Sequence, residues 1–371
     1  MKLLSKDQRD RQIRLSKKRH HHNIRRKCKL NTPQRKHESL QKEIQKLKEQ
    51  YPKIETYAYK RNFIINAPKI LSLNEGDKDE ITQFFQCLRY IISAPSLGGK
   101  VEFTTIERLS PKCAILLASE VHRWKLIKRK QLKPIDSHKW DLKVKKLLSD
   151  IGFFEIVSVP YPTRIEKGKD TKETEEQFIK LHTDQENNFP NLYHHVQNTV
   201  YEIAHLMDSN ILLNGGISEA ITNVLNWAYD DSKQQEHPNI KHRWWFFASY
   251  NVKTGIVTFV VYDHGVGIPN TVPAQGWWES IKQYMDKKEI YNYSDEKIIE
   301  AVMNAPRSSS KMNHRGKGLI DMKRVLENYD YGNLSIYSRK GEYHINNNQI
   351  EHSDLLPYPI GGTLISWQVR T

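Results

Sequence analysis

Glu219 and Asn223 stand four residues apart in the run Ser218-Glu219-Ala220-Ile221-Thr222-Asn223-Val224-Leu225-Asn226-Trp227-Ala228-Tyr229. Ile217, Ala220, Ile221, Val224, Leu225 and Ala228 recur at intervals of three and four, which predicts a helix with one buried face. On such a helix, residues four apart sit one above the other. A carboxylate there can orient a water molecule, and an amide oxygen can ligate Mg²⁺, which takes oxygen ligands and keeps several waters. An acid and an amide at this spacing also suit any solvated helix face, so their meaning depends on the rest of the chain.

Three further stretches have the chemistry of a ligand site. The β-branched run Ile256 to Tyr262 reads as a strand that delivers Asp263 into the loop His264-Gly265-Val266-Gly267. His314-Arg315-Gly316-Lys317-Gly318-Leu319 runs straight into the helical pattern Ile320 to Leu326. Gly361-Gly362-Thr363-Leu364-Ile365-Ser366-Trp367 stands close to the end. An acid fixed at a strand end is a hydrogen-bond acceptor, glycines admit close approach of the backbone, and amides at a helix start can face anionic oxygens.

These four boxes, in this order, resemble the GHKL ATPase superfamily, the gyrase, heat-shock chaperone, histidine kinase and mismatch-repair ATPases that share the Bergerat nucleotide fold. Ser218-Glu219-Ala220-Ile221-Thr222-Asn223 is most similar to the anti-sigma-factor serine kinases, and the resemblance covers roughly residues 175–371. It implies ATP and Mg²⁺ as ligands. Asp263 then matches the acceptor for the adenine amino group, with Gly265 and Gly267 letting adenine approach. Asn223 matches the Mg²⁺ ligand that links the three phosphates, and Glu219 the general base that polarises water or an attacking hydroxyl. Gly316 and Gly318, with Lys317, match the phosphate-facing helix start, and Thr363 the hydroxyl that helps hold adenine through water. The 48 residues between Gly267 and Gly316 occupy the place of the family's ATP lid, or form a surface loop with two helices. That segment holds Trp277, Trp278, Tyr284, Tyr291 and Tyr293 and ends in Arg307-Ser308-Ser309-Ser310-Lys311. Asn226 and Trp227 stand where relatives often carry Lys or His near the phosphates. A Gly-x4-Gly-Lys-Ser/Thr loop is absent. His194 and His195 lack the following acid of a histidine-kinase phosphoacceptor.

The elements that must position these residues predict an α+β chain, and at 371 residues about two domains of roughly 150 residues each. Residues 1–50 read as a basic tail ending in a short amphipathic helix at 38–50, with Leu40, Ile44 and Leu47 on one side. Residues 54–160 alternate strand and helix: a strand-like run from Tyr59 to Leu73 broken at Pro68, a helix from Asp79 to Ala94, and a strand from Val101 to Ile106. A helix opening at Pro111, a helix from Trp140 to Leu148 and a closing strand at residues 152–157 follow. This order resembles the STAS-like domain of anti-sigma-factor antagonists, which are the substrates of the serine kinases. Their phosphorylated serine follows an Asp. Here Leu109 precedes Ser110, which reads as a helix N-cap. Residues 161–176 are charged and pattern-poor, a linker to the ATP-binding domain at 177–371. In that domain a strand at 177–181, a helix from Tyr193 to Met207 and a hairpin of Trp244–Tyr250 with Thr254–Tyr262 surround the central helix.

Charge and composition bound the partners. The first 50 residues carry 17 Lys and Arg against 5 Asp and Glu, a net +12 of the whole chain's +15. Residues 1–36 could contact nucleic-acid phosphates, dock an acidic protein, or remain a solvated tail. Three cysteines (Cys28, Cys87 and Cys113) form no CxxC pair, which suits a reducing cytoplasm. No run of eighteen apolar residues exists, so no membrane partner is expected. Two function classes remain. The first is a bacterial-type ATPase or Ser/Thr protein kinase acting on a regulatory protein partner. The second is an ATP-gated binding switch with little turnover. Either could work as a homodimer.

Overall fold

The computed structural model of the chain describes residues 14–19, 38–59, 62–94, 99–129, 136–157, 176–185, 211–229, 243–274, 276–305 and 318–370. Residues 38–50 are helical (α1), with Ile44 and Leu47 buried. Strands β1 (Thr56–Tyr59) and β2 (Asn62–Asn66) form an antiparallel pair, and β4 (Gly99–Glu102) adds parallel to β2. Two short strands, β3 (Ile70–Leu71) and β5 (Arg108–Leu109), pair separately in parallel. Helix α2 spans Lys78–Ser93, capped by the Asp77 carboxylate, which accepts from the amides of Asp79 and Glu80. Helix α3 spans Pro111–Lys128, and Ser110 caps it by accepting from the Cys113 amide at 3.3 Å, as expected of that serine. Helix α4 (Leu142–Asp150) follows.

Residues 153–157 correct the sequence reading. They form a short helix, α5 (Phe153–Val157), in place of the expected closing strand. Phe153 and Phe154 bury their rings against Phe103 and Trp140, and a five-residue stretch with four apolar residues has no period long enough to separate helix from strand. The strand expected from Val101 to Ile106 stops at Glu102.

Among the described residues, the second half is built on seven strands. These are β6 (Glu176–Gln185), β7 (Arg243–Asn251), β8 (Ile256–Asp263), β9 (Gly332–Ser338), β10 (Gly341–Asn346), β11 (Glu351–Leu355) and β12 (Thr363–Arg370). They lie in the order β11-β10-β9-β12-β8-β7-β6, every neighbouring pair antiparallel. The last strand in sequence is thus inserted between β8 and β9. The expected hairpin is β7–β8, and the expected first strand lies within β6. The helix expected from Tyr193 to Met207 and residues 161–175 of the expected linker lie outside the described residues.

Alternate residues of this sheet face two different helical layers. Trp244, Phe246, Phe259, Val261, Ile365 and Trp367 pack with Ile217, Ala220 and Ile221 of helix α6 (Ile211–Asn223), with Val224 just beyond it, and with Met322 of helix α9 (Gly318–Arg324). Trp245, Phe247, Val260, Tyr262, Tyr337 and Leu364 point the other way, into one continuous core with α2 and α3. Burying both faces explains why β7 and β8 read as apolar runs, Trp244–Ala248 and Phe259–Tyr262. Helix α3 accordingly carries a six-residue run, Cys113 to Ala118, that is buried throughout, as a helix lying between two layers must be. Each fully buried aliphatic or Phe side chain contributes roughly 1.5–3 kcal/mol of transfer free energy. Helices α7 (Trp278–Lys287) and α8 (Asp295–Asn304) form a smaller cluster around Ile281, Met285, Ile298 and Val302.

Helix α6 lies close against the α9 segment because Gly216 has no side chain. A Cβ there would lie 2.8 Å from Val325 Cγ2. Gly216→Val should therefore overpack the interface and cost about 1–3 kcal/mol in urea unfolding. An unchanged or raised midpoint would contradict this packing.

Candidate functional site

Asp263 is the last residue of β8 and Thr363 the first of β12, and the two are direct partners across the strands. Both fall on the odd positions of their strands, the face covered by α6. Asp263 is only 3 % exposed, and its Oδ1 accepts from the Gly265 amide at 2.6 Å. The backbone of Thr363 also hydrogen-bonds to the carboxylate. Among the described residues no Lys, Arg or His forms an ion pair with it. Burial pushes its pKa up to about 7, and the two backbone hydrogen bonds only partly offset that shift.

The loop after Asp263 is shaped by glycines that nothing larger could replace. A Cβ on Gly265 would lie 2.2 Å from the Ala228 carbonyl oxygen, and the next amide, Val266, donates to that same oxygen at 2.8 Å. Gly267 has φ +86°, and a Cβ there would meet Arg339 Cγ at 2.7 Å. Gly362, at φ +109°, crosses so close to β8 that a Cβ would lie 1.9 Å from the Asp263 carbonyl oxygen.

The central helix reaches this loop by changing its pitch. After Asn223 the chain makes a π-helical turn, Val224–Ala228, and the last residue of that turn accepts from Val266. Such turns are rare and recur at functional sites. Tyr229 follows, its hydroxyl accepting from the His264 amide at 3.2 Å and donating to the Arg243 carbonyl. Glu219 and Asn223 lie one helical turn apart on α6, both half-buried. Asn223 Nδ2 is buried and finds no hydrogen-bond partner among the described residues.

Asp263, Gly265, Gly267 and Thr363, widely separated in sequence, come together at one end of the sheet. Glu219 and Asn223 sit on the helix that runs to them. Gly318 opens α9, whereas Gly316, Lys317 and residues 307–311 lie outside the described residues. The described part of the expected lid segment, residues 268–274 and 276–305, contains α7 and α8, with the rings of Trp278 and Tyr293 6.0 Å apart. Ser338 was missed. Its hydroxyl lies 2.9 Å from Thr363 Oγ1 and accepts from the Ile268 amide at 2.9 Å, joining β12 to the glycine loop. A serine ending a strand before a Gly-containing turn is a faint signal, and no spacing ties it to Thr363.

No protein-family model and no curated protein matches this chain.

A carboxyl whose pKa rises from 3.8 to about 7 on folding keeps its proton in the folded chain between those pH values. The folded chain then binds more protons than the unfolded one, so stability falls as pH rises from about 4 to about 7 and levels off above. Against Asp263→Asn, which lacks this titration, the wild type should lose up to about 1.4 kcal/mol per pH unit within that window. Denaturant unfolding of both proteins from pH 5 to 8 measures the difference. Parallel profiles would contradict a buried carboxyl whose burial its backbone hydrogen bonds only partly offset.

Proposed function

We propose that this chain is a GHKL-type protein that binds Mg²⁺-ATP and either hydrolyses it or passes its terminal phosphoryl group to a Ser or Thr of a partner protein. Asp263 is the principal support: a buried acid without an ion-pair partner among the described residues, facing Thr363 within a glycine-bounded turn. The Gly265 and Thr363 backbone amides leave a carboxylate, with about four lone-pair sites, room for a further donor, and the adenine amino group is such a donor. A site built around that hydrogen bond discriminates strongly against bases that lack the donor.

The remaining residues divide the work. Asp263 orients the base, and Thr363, tied to Ser338, borders it. Asn223 offers its amide oxygen to Mg²⁺. Among the described residues no group of three His, Cys, Asp or Glu could cage an ion, so phosphate oxygens and waters would complete the shell, as is usual for Mg²⁺. Glu219, one turn earlier on the same helix, polarises the attacking water or hydroxyl. Gly316, Lys317 and Gly318 lead into α9 and serve the phosphates. Helices α7 and α8 belong to the lid, and the STAS-like unit at 54–160 is a fused regulator. A bacterial cytoplasm suits the two buried free thiols, Cys87 and Cys113.

The second reading, an ATP-gated switch with little turnover, draws on the seating of α2 and α3 directly against the sheet that carries Asp263. In this case the basic tail would engage nucleic acid or an acidic partner. Its residues 14–19 form an exposed helical turn containing Arg14, Lys17, Lys18 and Arg19.

Calorimetry with Mg²⁺-ATP and phosphate release at pH 8, on wild type, Asp263→Asn and Glu219→Ala, separates these possibilities. The wild type should bind, Asp263→Asn should lose at least about tenfold in affinity, equivalent to about 1.4 kcal/mol, and Glu219→Ala should bind without release. Release that survives in Glu219→Ala would remove its role as base. Binding without release in the wild type would favour the switch, and no binding at all would overturn the proposal.

A further inference from the structure

Three consecutive backbone carbonyls just before Thr363 are held by side chains rather than by sheet partners. Arg89, on α2, donates from Nη1 to the Pro359 carbonyl at 3.0 Å and from Nη2 to the Ile360 carbonyl. Its Nε donates to Glu120 Oε1 at 2.7 Å, so one guanidinium spans two turn carbonyls and a carboxylate. Gln86, one turn earlier on α2, donates to the same Pro359 carbonyl at 2.7 Å. Tyr262, the neighbour of Asp263, donates to the Gly361 carbonyl at 2.6 Å. Arg89 and Glu120 are fully buried, and Arg123 Nε lies 3.3 Å from Glu120 Oε2. His264, on the far side of Asp263 in the chain, sits 3.3 Å from Ser119 Oγ on α3.

Gly361 and Gly362 adopt φ of +73° and +109°, conformations that an unsupported chain leaves readily. A Cβ on Gly361 would lie 2.9 Å from Arg89 Cζ, so the guanidinium rests on the backbone of the turn itself. Strained turns persist where the surroundings over-determine them, and here the surroundings are residues of α2 and α3. The turn ends at Thr363, the partner of Asp263.

We infer that Arg89, backed by Glu120, is a positioning residue for the nucleotide site: it fixes the Pro359–Gly362 turn that leads into Thr363, whose place opposite Asp263 comes from the β8–β12 register. This rests on the nucleotide reading above, and it makes the first half of the chain a structural part of the site in the second half. The planar fork is what suits the task. A lysine could keep the charge beside Glu120 but could not reach two carbonyls and a carboxylate in one geometry.

The test uses the full chain with Arg89→Lys, Arg89→Met as the stronger variant, and Lys112→Met as control. Lys112, on α3, is also buried against the sheet but donates to Asn74 and Ser335. Amide exchange in residues 356–364 should rise at least tenfold in Arg89→Lys and stay near wild type in Lys112→Met. Arg89→Lys should also lower the preference for ATP over GTP at least tenfold, whereas a simple loss of folded protein would weaken both ligands equally. Exchange no faster than in Lys112→Met would overturn the inference, as would faster exchange with an unchanged ATP-over-GTP ratio. If the wild type binds neither nucleotide, the nucleotide reading fails, and the exchange result alone decides whether Arg89 holds the turn.

Discussion

The antiparallel register of β8 and β12 governs everything at the candidate site. Asp263 and Thr363 meet only because the two strands pair as they do, and a slip of one residue would turn Thr363 to the opposite face. The register is pinned because both faces of β12 are occupied. Ile365, Trp367 and Val369 belong to the α6 side, while Leu364 packs with α2 and α3. Neither set can exchange places without moving large side chains into the wrong layer. The same two-sided burial requires helices on each side of the sheet. One side is supplied by α6 and α9, the other by α2 and α3.

The second layer carries charge as well as apolar surface. A buried Arg–Glu–Arg group is weak evidence for stability, because desolvation offsets much of the Coulomb attraction, yet removing one member leaves an unpaired charge. Its position beside the Pro359–Gly362 turn ties that electrostatic arrangement to backbone geometry. Burial and the neighbouring charges of Arg123 and Arg89 hold the His264 pKa well below its usual range, so its ring meets Ser119 and Glu120 as a neutral group. Asp263 is thus flanked in the chain by Tyr262 and His264, both engaged with the first half of the molecule, while its own carboxylate faces the other way.

Much of the second half was legible in the sequence because its signals are local. The three-and-four spacing from Ile217 to Ala228 marks the central helix, the β-branched run to Tyr262 marks β8, and the glycines at 265, 267 and 362 occupy positions where a Cβ would collide. The first half was legible in its helices and Ser110 cap, but not at Phe153–Val157, where a short, mostly apolar stretch carries no period. The π-helical turn was invisible because residues 224–228 continue the helical pattern to within one residue. Arg89, Glu120 and Ser338 were missed for a different reason: their partners lie 25 to 271 residues away, and sequence spacing says nothing of such pairings.

The most direct test follows the Asp263 carboxyl itself, by carbon-13 NMR of aspartate-labelled protein assigned against Asp263→Asn. The free chain should titrate near pH 7, and saturating Mg²⁺-ATP should move that midpoint down, because a donor at the carboxylate favours its ionised form. Inosine triphosphate, which has a carbonyl in place of the adenine amino group, should not lower it. A midpoint that stays in place under saturating ATP, or falls equally with inosine triphosphate, would contradict Asp263 as the acceptor that recognises the base.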